Sequence, residues 1–148
     1  MAPLAPIVFE EDPSRADLDR LKEAIDAFNY ETTGFRDGRY LVAFVRDDVG
    51  EMIAGLSGFT WGGYAKVEYL WIAEPYRRAG LGRRLLTAAE MEARARGCDV
   101  IVLDTHDFQA PGFYAKLGYV ACGRTEGTPR GSGQTLFRKS LVTGSGRA

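Results

Sequence analysis

The sequence predicts a mixed α/β domain built on one central sheet, and three observations carry that reading. Apolar residues recur at helical spacing in two segments, Leu18, Leu21, Ile25, Phe28 and Leu85, Leu86, Ala89, Ala93. Between them lie three β-branched and aromatic runs joined by short turns, which makes those strands antiparallel neighbours. A strand–helix–strand passage over residues 64–104 then calls for a right-handed crossover, so the sheet becomes locally parallel in its middle.

The elements follow in chain order. Ile7 to Glu10 reads as a short first strand ended by Asp12-Pro13. Ser14 is placed to cap a helix from about Arg15 to Phe28, whose charged outer face predicts that it lies on the surface of a sheet. Residues 29–38 are polar and turn-rich, a loop or a broken second helix. Strands are expected over Arg39–Arg46, Glu51–Thr60 and Tyr64–Ala73, turned by Asp47-Asp48-Val49-Gly50 and Trp61-Gly62-Gly63 and ended by Glu74-Pro75. A helix from Gly82 to Arg96 is closed by Gly97. Val100 to Leu103 is a continuous apolar run, read as a strand buried on both faces. Pro111 opens a helix through Phe113 and Tyr114 to Leu117, ended by Gly118. Tyr119–Gly123 and Thr135–Leu141 read as the last strands, with a Gly/Thr loop at Arg124–Gln134, and the tail at 143–148 is expected to be disordered. The whole is one domain over residues 1–148.

Composition narrows the function classes. A chain of 148 residues, 45% hydrophobic and 26% charged, is of ordinary globular make-up and excludes a coiled-coil or disordered chain. No apolar run approaches the roughly 20 residues of a membrane span, and the N-terminus lacks the early basic residues of a signal peptide. With Cys98 and Cys122 in hydrophobic company, the expectation is buried free thiols and a cytoplasmic protein. One histidine excludes a His-rich metal site, and no metal is expected. Charge is divided: residues 1–76 hold 7 Lys/Arg and 14 Asp/Glu, residues 77–148 hold 12 and 6. That fits an anionic ligand held by the second half and a cationic one by the first, or a surface whose charges mix on folding. No basic stripe interleaved with aromatics suggests nucleic acid.

The stretch with chemical content is Leu70-Trp71-Ile72-Ala73-Glu74-Pro75-Tyr76-Arg77-Arg78-Ala79-Gly80-Leu81-Gly82. A strand stops at a proline, and an Arg-x-x-Gly-x-Gly turn leads directly into a helix. Backbone N–H groups at such a helix start have no intrahelical partner and favour negative charge. Glycines let the chain approach a bulky anion, and a pyrophosphate suits the site. The pattern is neither a Gly-Lys-Ser/Thr phosphate loop nor a GxGxxG dinucleotide fingerprint.

Arg77-Arg78-Ala79-Gly80-Leu81-Gly82 resembles the Gln/Arg-x-x-Gly-x-Gly/Ala motif of the GNAT family of N-acetyltransferases, and Phe113-Tyr114-Ala115-Lys116-Leu117-Gly118-Tyr119 resembles that family's Phe-Tyr-x-x-x-Gly-Phe/Tyr motif. The Thr105-His106-Asp107-Phe108-Gln109-Ala110-Pro111 run is similar to one bacterial branch. The resemblance spans about residues 7–141. It implies the GNAT acyltransferase fold, with acetyl-CoA in a V-shaped opening between parallel strands, here Leu70–Ala73 and Val100–Asp104. It further implies pantetheine bonded to the backbone of Leu70, Trp71 and Ile72, and a pyrophosphate on Arg77, Arg78, Ala79, Gly80, Leu81 and Gly82. By the same resemblance Arg83 and Arg84 are candidates to reach the phosphates, with surface salt-bridging the equal alternative for each. Where the family often has Asn, seven residues before the motif tyrosine, this chain has Asp107, and Gln109 is the amide that stands in for it.

By the same resemblance Tyr114 protonates the departing thiolate, and a backbone N–H of residues 70–72 polarises the thioester carbonyl. The attacking amine must lose a proton, and Asp104, Glu68 and then His106 are the candidates to take it. The expected activity is acetyl transfer to a primary amine of a small cationic molecule, by direct transfer in a ternary complex. Glu31, Asp37 and Glu68 are the expected acidic mouth, with Phe28, Tyr30, Phe35 and Trp61 lining the pocket and the loops at 29–38 and 124–134 around it. Alternatives are acetylation of protein N-termini or lysines, a catalytically silent acyl-CoA-binding module, and, more remotely, acetylation of aminoacyl-tRNA. A homodimer pairing through the last strands also fits the family pattern.

Overall fold

Residues 2–142 are described by the structure, a computed structural model. The expected disordered tail at 143–148 lies outside the described residues. The chain forms two compact units, Met1–Arg36 and Asp37–Ala148.

The first unit contains helix α1, Arg15–Thr33. Ser14 caps it as expected, its Oγ accepting the Asp17 N–H at 3.1 Å. The helix runs five residues past Phe28, because Asn29 to Thr33 contains neither Gly nor Pro and the Thr33 hydroxyl donates to the Asn29 carbonyl at 2.7 Å. It stops at Gly34, whose N–H donates to the Tyr30 carbonyl at 2.8 Å. Residues 7–10 are not a strand. The run is four residues long between Pro6 and Asp12-Pro13, and it makes no ladder.

The second unit is a six-stranded sheet in the order β1-β2-β3-β4-β6-β5. Its strands are β1 (Arg39–Arg46), β2 (Met52–Trp61), β3 (Tyr64–Ile72), β4 (Val100–His106), β5 (Val120–Glu126) and β6 (Gly133–Ser140). The β1-β2-β3 meander is antiparallel, as the short turns require. After a 3-10 turn at Glu74–Tyr76, helix α2 (Leu81–Ala95) packs across β1, β2 and β3 through Leu85, Leu86, Ala89 and Ala93. It closes with Gly97 in the left-handed region and paired bonds, Gly97 N–H to Arg94 O at 2.9 Å and Cys98 N–H to Ala93 O at 2.9 Å. The crossover to β4 is the parallel one expected, and helix α3 (Pro111–Lys116) joins β4 to β5.

Leu56, Leu86, Ile101 and Leu103 are the largest fully buried side chains, each worth about 1.5–3 kcal/mol of burial. Glu90 is buried beside them, accepting from the Tyr119 hydroxyl at 3.0 Å and from Lys139 Nζ at 2.8 Å. That network holds α2 to the end of α3 and to β6.

Three further expectations change. β4 is not buried on both faces: Ile101, Leu103 and Thr105 point into the core, while Val102 and His106 are half-buried and Asp104 exposed. The loop expected over Arg124–Gln134 shrinks to residues 127–132, because β5 and β6 keep pairing as far as Glu126 and Gly133. Cys98 is buried, but Cys122 is exposed, since β5 is an outer strand with every residue exposed. Among the described residues no helix is long and apolar enough to cross a membrane.

Candidate active site

The site grows from an irregularity in β3. Opposite β2, Tyr69 pairs with Ser57 and Val67 with Gly58, so Glu68 is an extra residue, a β-bulge. A bulge bends its strand and increases the local twist. Gly58 makes it feasible, because a Cβ there would collide with the Lys66 carbonyl and press on the Val67 backbone. On its other edge β3 pairs in parallel with β4 only at Tyr64–Val100, Ala65–Ile101 and Lys66–Val102. Beyond Lys66, where the bulge begins, the two strands separate.

The opening they leave is a cavity of about 1040 Å³, lined on one side by residues 66–72 and on the other by Leu103, Asp104, Thr105 and His106. Its size matches the upper end of the roughly 300–1,000 Å³ usual for small-molecule sites. One end is the turn into α2, contributing Arg77, Arg78, Gly80, Leu81, Gly82 and Arg83; another wall is Phe108, Gln109, Ala110, Phe113 and Tyr114. The structure therefore gathers Leu70, Trp71, Ile72, Arg77, Arg78, Gly80, Leu81, Gly82, Arg83, Gln109, Tyr114, Asp104 and Glu68 around one cavity, while Ala79 and Arg84 do not line it.

The α2 turn has the geometry and charge to receive an anion. Its N-cap, Gly80, offers no side-chain cap, and the first turn holds Arg83 and Arg84 with no acidic residue. Arg78 (φ 63°) and Gly80 (φ 82°) both take left-handed backbone, which an arginine adopts at a cost. Such turns present successive N–H groups in a concavity that suits phosphate. The two glycines divide the work: Gly80 is needed for its φ and meets nothing within 4 Å, whereas a Cβ on Gly82 would press on Ile72 at 3.2 Å and Phe113 at 3.3 Å. Arg77 has a structural duty, its Nε donating to the Ile72 carbonyl at 2.9 Å and closing the end of β3.

Tyr114 is half-buried, packed edge-on against Tyr119 at 5.9 Å and tilted against Phe137 at 6.0 Å. Burial raises its phenol pKa above the ordinary tyrosine value. Glu68 and Asp104 are exposed at the cavity and make no side-chain hydrogen bond or ion pair among the described residues. His106 also lines it, with Nδ1 2.7 Å from the Thr128 carbonyl and its ring stacked on Phe108 at 5.0 Å.

The residues around the expected Asn position sort differently from one another. Asp107 does not line the cavity; it holds Arg124 through two contacts of 2.8 Å and accepts the Gly133 N–H at 3.0 Å. The Arg124 guanidinium keeps this carboxyl below the usual carboxylate range. Gln109 does line the cavity, its Oε1 accepting the His106 N–H at 2.8 Å and the Thr105 hydroxyl at 3.2 Å. Of the expected acceptor residues in this unit, Asp37 instead accepts the Gly62 N–H at 2.9 Å at the β2–β3 turn. Trp61 stands edge-on to Tyr64 at that turn, outside the cavity lining. Lys66, Tyr69 and Phe108 line the cavity unforeseen. Alternation along β3 and β4 was the available signal, and the bulge breaks it for Tyr69. Among the described residues no His/Cys/Asp/Glu group could hold a metal.

A family model described as the acetyltransferase (GNAT) family matches residues 6–119. The chain is 40% identical over 93 residues to blasticidin-S acetyltransferase of Streptomyces morookaense, covering 62% of this chain and 68% of that protein. It is 33% identical over 116 residues to an acetyltransferase of Agrobacterium fabrum, covering 78% and 83%. The crystal structure of an acetyltransferase from Bacillus cereus matches with a TM-score of 0.75 at 29% identity, over 90% of this chain and 97% of that one.

Proposed function

Since the chain belongs to the acetyltransferase (GNAT) family, we propose that it transfers acetyl from acetyl-CoA to a primary amine of a small cationic molecule, directly within a ternary complex. The observation that carries this is the parting of β3 and β4 beyond Lys66 and Val102 into a cavity that ends on an uncapped, basic helix start. Acetyl-CoA supplies an activated acyl thioester, and the cavity's volume of about 1040 Å³ and its basic end suit such a ligand. Beyond Lys66 the β4-facing edge of β3 has no strand partner among the described residues, and along Leu70, Trp71 and Ile72 that edge can bond an extended amide chain, the Ile72 carbonyl alone being taken by Arg77. Arg78, Gly80, Leu81 and Gly82, with Arg83, receive the pyrophosphate. A backbone N–H of residues 70–72 polarises the thioester carbonyl.

Tyr114 is the proton donor to the leaving sulfur; its raised pKa keeps the phenol protonated at neutral pH. Glu68 and Asp104, unpaired carboxylates at the mouth, draw a cationic amine toward the cavity. The 40% identical relative is named for blasticidin S, a reason to put that compound first in a panel of amines.

The test is thiol release from acetyl-CoA across that panel, with peptides bearing free N-termini and lysines alongside. Turnover with a small cationic amine supports the proposal. Turnover with peptides alone replaces the acceptor by a protein, and acetyl-CoA binding without turnover on either set indicates a silent acyl-CoA-binding module.

A further inference from the structure

The geometry of His106 points to it as the group that takes the proton from the attacking amine, a reading that rests on the transferase proposal above. Three neighbours hold His106, two of them by its ring. Nδ1 lies 2.7 Å from the Thr128 carbonyl oxygen, which can only accept, so Nδ1 carries the hydrogen. In the neutral ring Nε2 therefore keeps its lone pair, the form a base requires. The ring plane is set by Phe108, stacked at an interplanar angle of 5°. The backbone N–H is held by Gln109 Oε1 at 2.8 Å.

The anchor is itself secured. Thr128 lies in the β5–β6 hairpin, where the Gly127 and Thr128 N–H groups both donate to the Ser132 carbonyl, at 2.8 and 3.1 Å. The hairpin is tied to the end of β4 by the Asp107–Arg124 pair and by Gly133 N–H to Asp107. His106 is thus held from two segments, the β5–β6 hairpin and the loop after β4, and lines the same cavity as Tyr114. Asp104 and Glu68, the rival bases, have no partner that would orient them.

Proton bookkeeping is complete. The ammonium of the acceptor gives one proton to His106 Nε2, which passes it to solvent. The amine nitrogen then bonds the acetyl carbon, the carbon–sulfur bond breaks, and the thiolate takes a proton from Tyr114. The second proton shed by the nitrogen as the amide forms restores Tyr114. The charged and titratable groups on the elements around the imidazole are Asp104 on β4, Asp107 paired with Arg124 of β5, Glu68 and Lys66 on β3, Tyr114 on α3 and Arg130 in the hairpin. Its register partner on β6, Gln134, is neutral.

The chain has one histidine, so ring nitrogen NMR of the unmodified protein reads His106 directly. The expected neutral form carries its hydrogen on Nδ1; a hydrogen on Nε2 overturns the proposal whatever the variants do. In kinetics, His106→Gln is expected to lower kcat/KM for the amine by about 100-fold or more. It should also abolish the acid limb of the pH profile, a limb that in the wild type coincides with the NMR titration. The Kd for CoA should stay within about twofold of the wild-type value, as for a protein that has folded. A variant that keeps the acid limb overturns the role of His106 and leaves the transferase reading intact. A wild-type protein that turns over no amine overturns both.

Discussion

Tyr114 shows what one residue's surroundings do to its chemistry. Its ring is packed by Tyr119 and Phe137, and that burial lifts the phenol pKa. A raised pKa means the proton is held at neutral pH and lost only above the ordinary tyrosine range. The expected result is that kcat falls on the alkaline side as Tyr114 ionises. Tyr114→Phe should lower kcat by about 10²-fold or more, remove that limb, and leave the calorimetric Kd for CoA unchanged. Gly58 is a second case. Its Cβ position is filled by the Lys66 carbonyl, so Gly58→Ala must push β2 off the bulge, at a cost of about 1–3 kcal/mol by urea denaturation. Gly82→Ala meets only the ends of Ile72 and Phe113 and should cost less stability than Gly58→Ala. The sequence named Tyr114 and both turn glycines, through motifs that lie within a few residues. It did not reveal Gly58, since the need for a bare position there depends on a strand met only in the folded sheet. Nor did it show that Asp107 faces Arg124, seventeen residues away, rather than the cavity.

Among elements, the start of α2 and the β5–β6 hairpin make opposite kinds of prediction. The helix start is electrostatically incomplete: a glycine cap, two arginines in the first turn and no acidic residue. Binding of CoA should raise Tm, by the equivalent of about 2.7 kcal/mol at a hundredfold excess over Kd. Arg83→Glu should weaken CoA binding by roughly 5- to 30-fold at low salt and by less at high salt, measured by titration calorimetry. The hairpin is complete as it stands. Arg124 depresses the Asp107 pKa, so the stabilisation is present above the unfolded carboxylate value and disappears as pH falls through the folded one. Protection of the Gly133 amide against exchange, relative to its intrinsic rate, should fall in that acid window, since its N–H donates to Asp107, and Asp107→Asn should lower that protection at neutral pH as well. Element positions were legible where short turns and helical spacing repeat, as in β1, β2, β3 and α2. They were missed where pairing outlasted the apolar pattern. β5 and β6 continue through Arg124–Glu126 and Gly133–Gln134 because backbone hydrogen bonds do not need apolar side chains. α1 likewise continues through polar residues until a glycine stops it.

At the scale of the whole molecule, the charge division reads differently once folded. Of the basic surplus in residues 77–148, Arg77, Arg78 and Arg83 reach the cavity. Others hold the fold: Arg94 donates to the Leu141 carbonyl, Arg96 to Tyr40 and Thr60, Arg124 to Asp107, and Lys139 to Glu90. Leu103 is fully buried at the wall of the opening, so Leu103→Ala should cost about 2–5 kcal/mol in chemical denaturation. By itself the sequence determined the mixed α/β class, the helix and strand order after residue 14, and the glycine turn and tyrosine that line the cavity. Each of these is written in local spacing and in glycines and prolines that act where they stand. Tertiary structure alone decided that β3 and β4 part after three paired positions, which carboxylates stay unpaired and which are bound, and that the single histidine has one nitrogen committed to a carbonyl twenty-two residues away. Those facts depend on which distant segments meet, and a contact between remote residues leaves no periodicity in the chain.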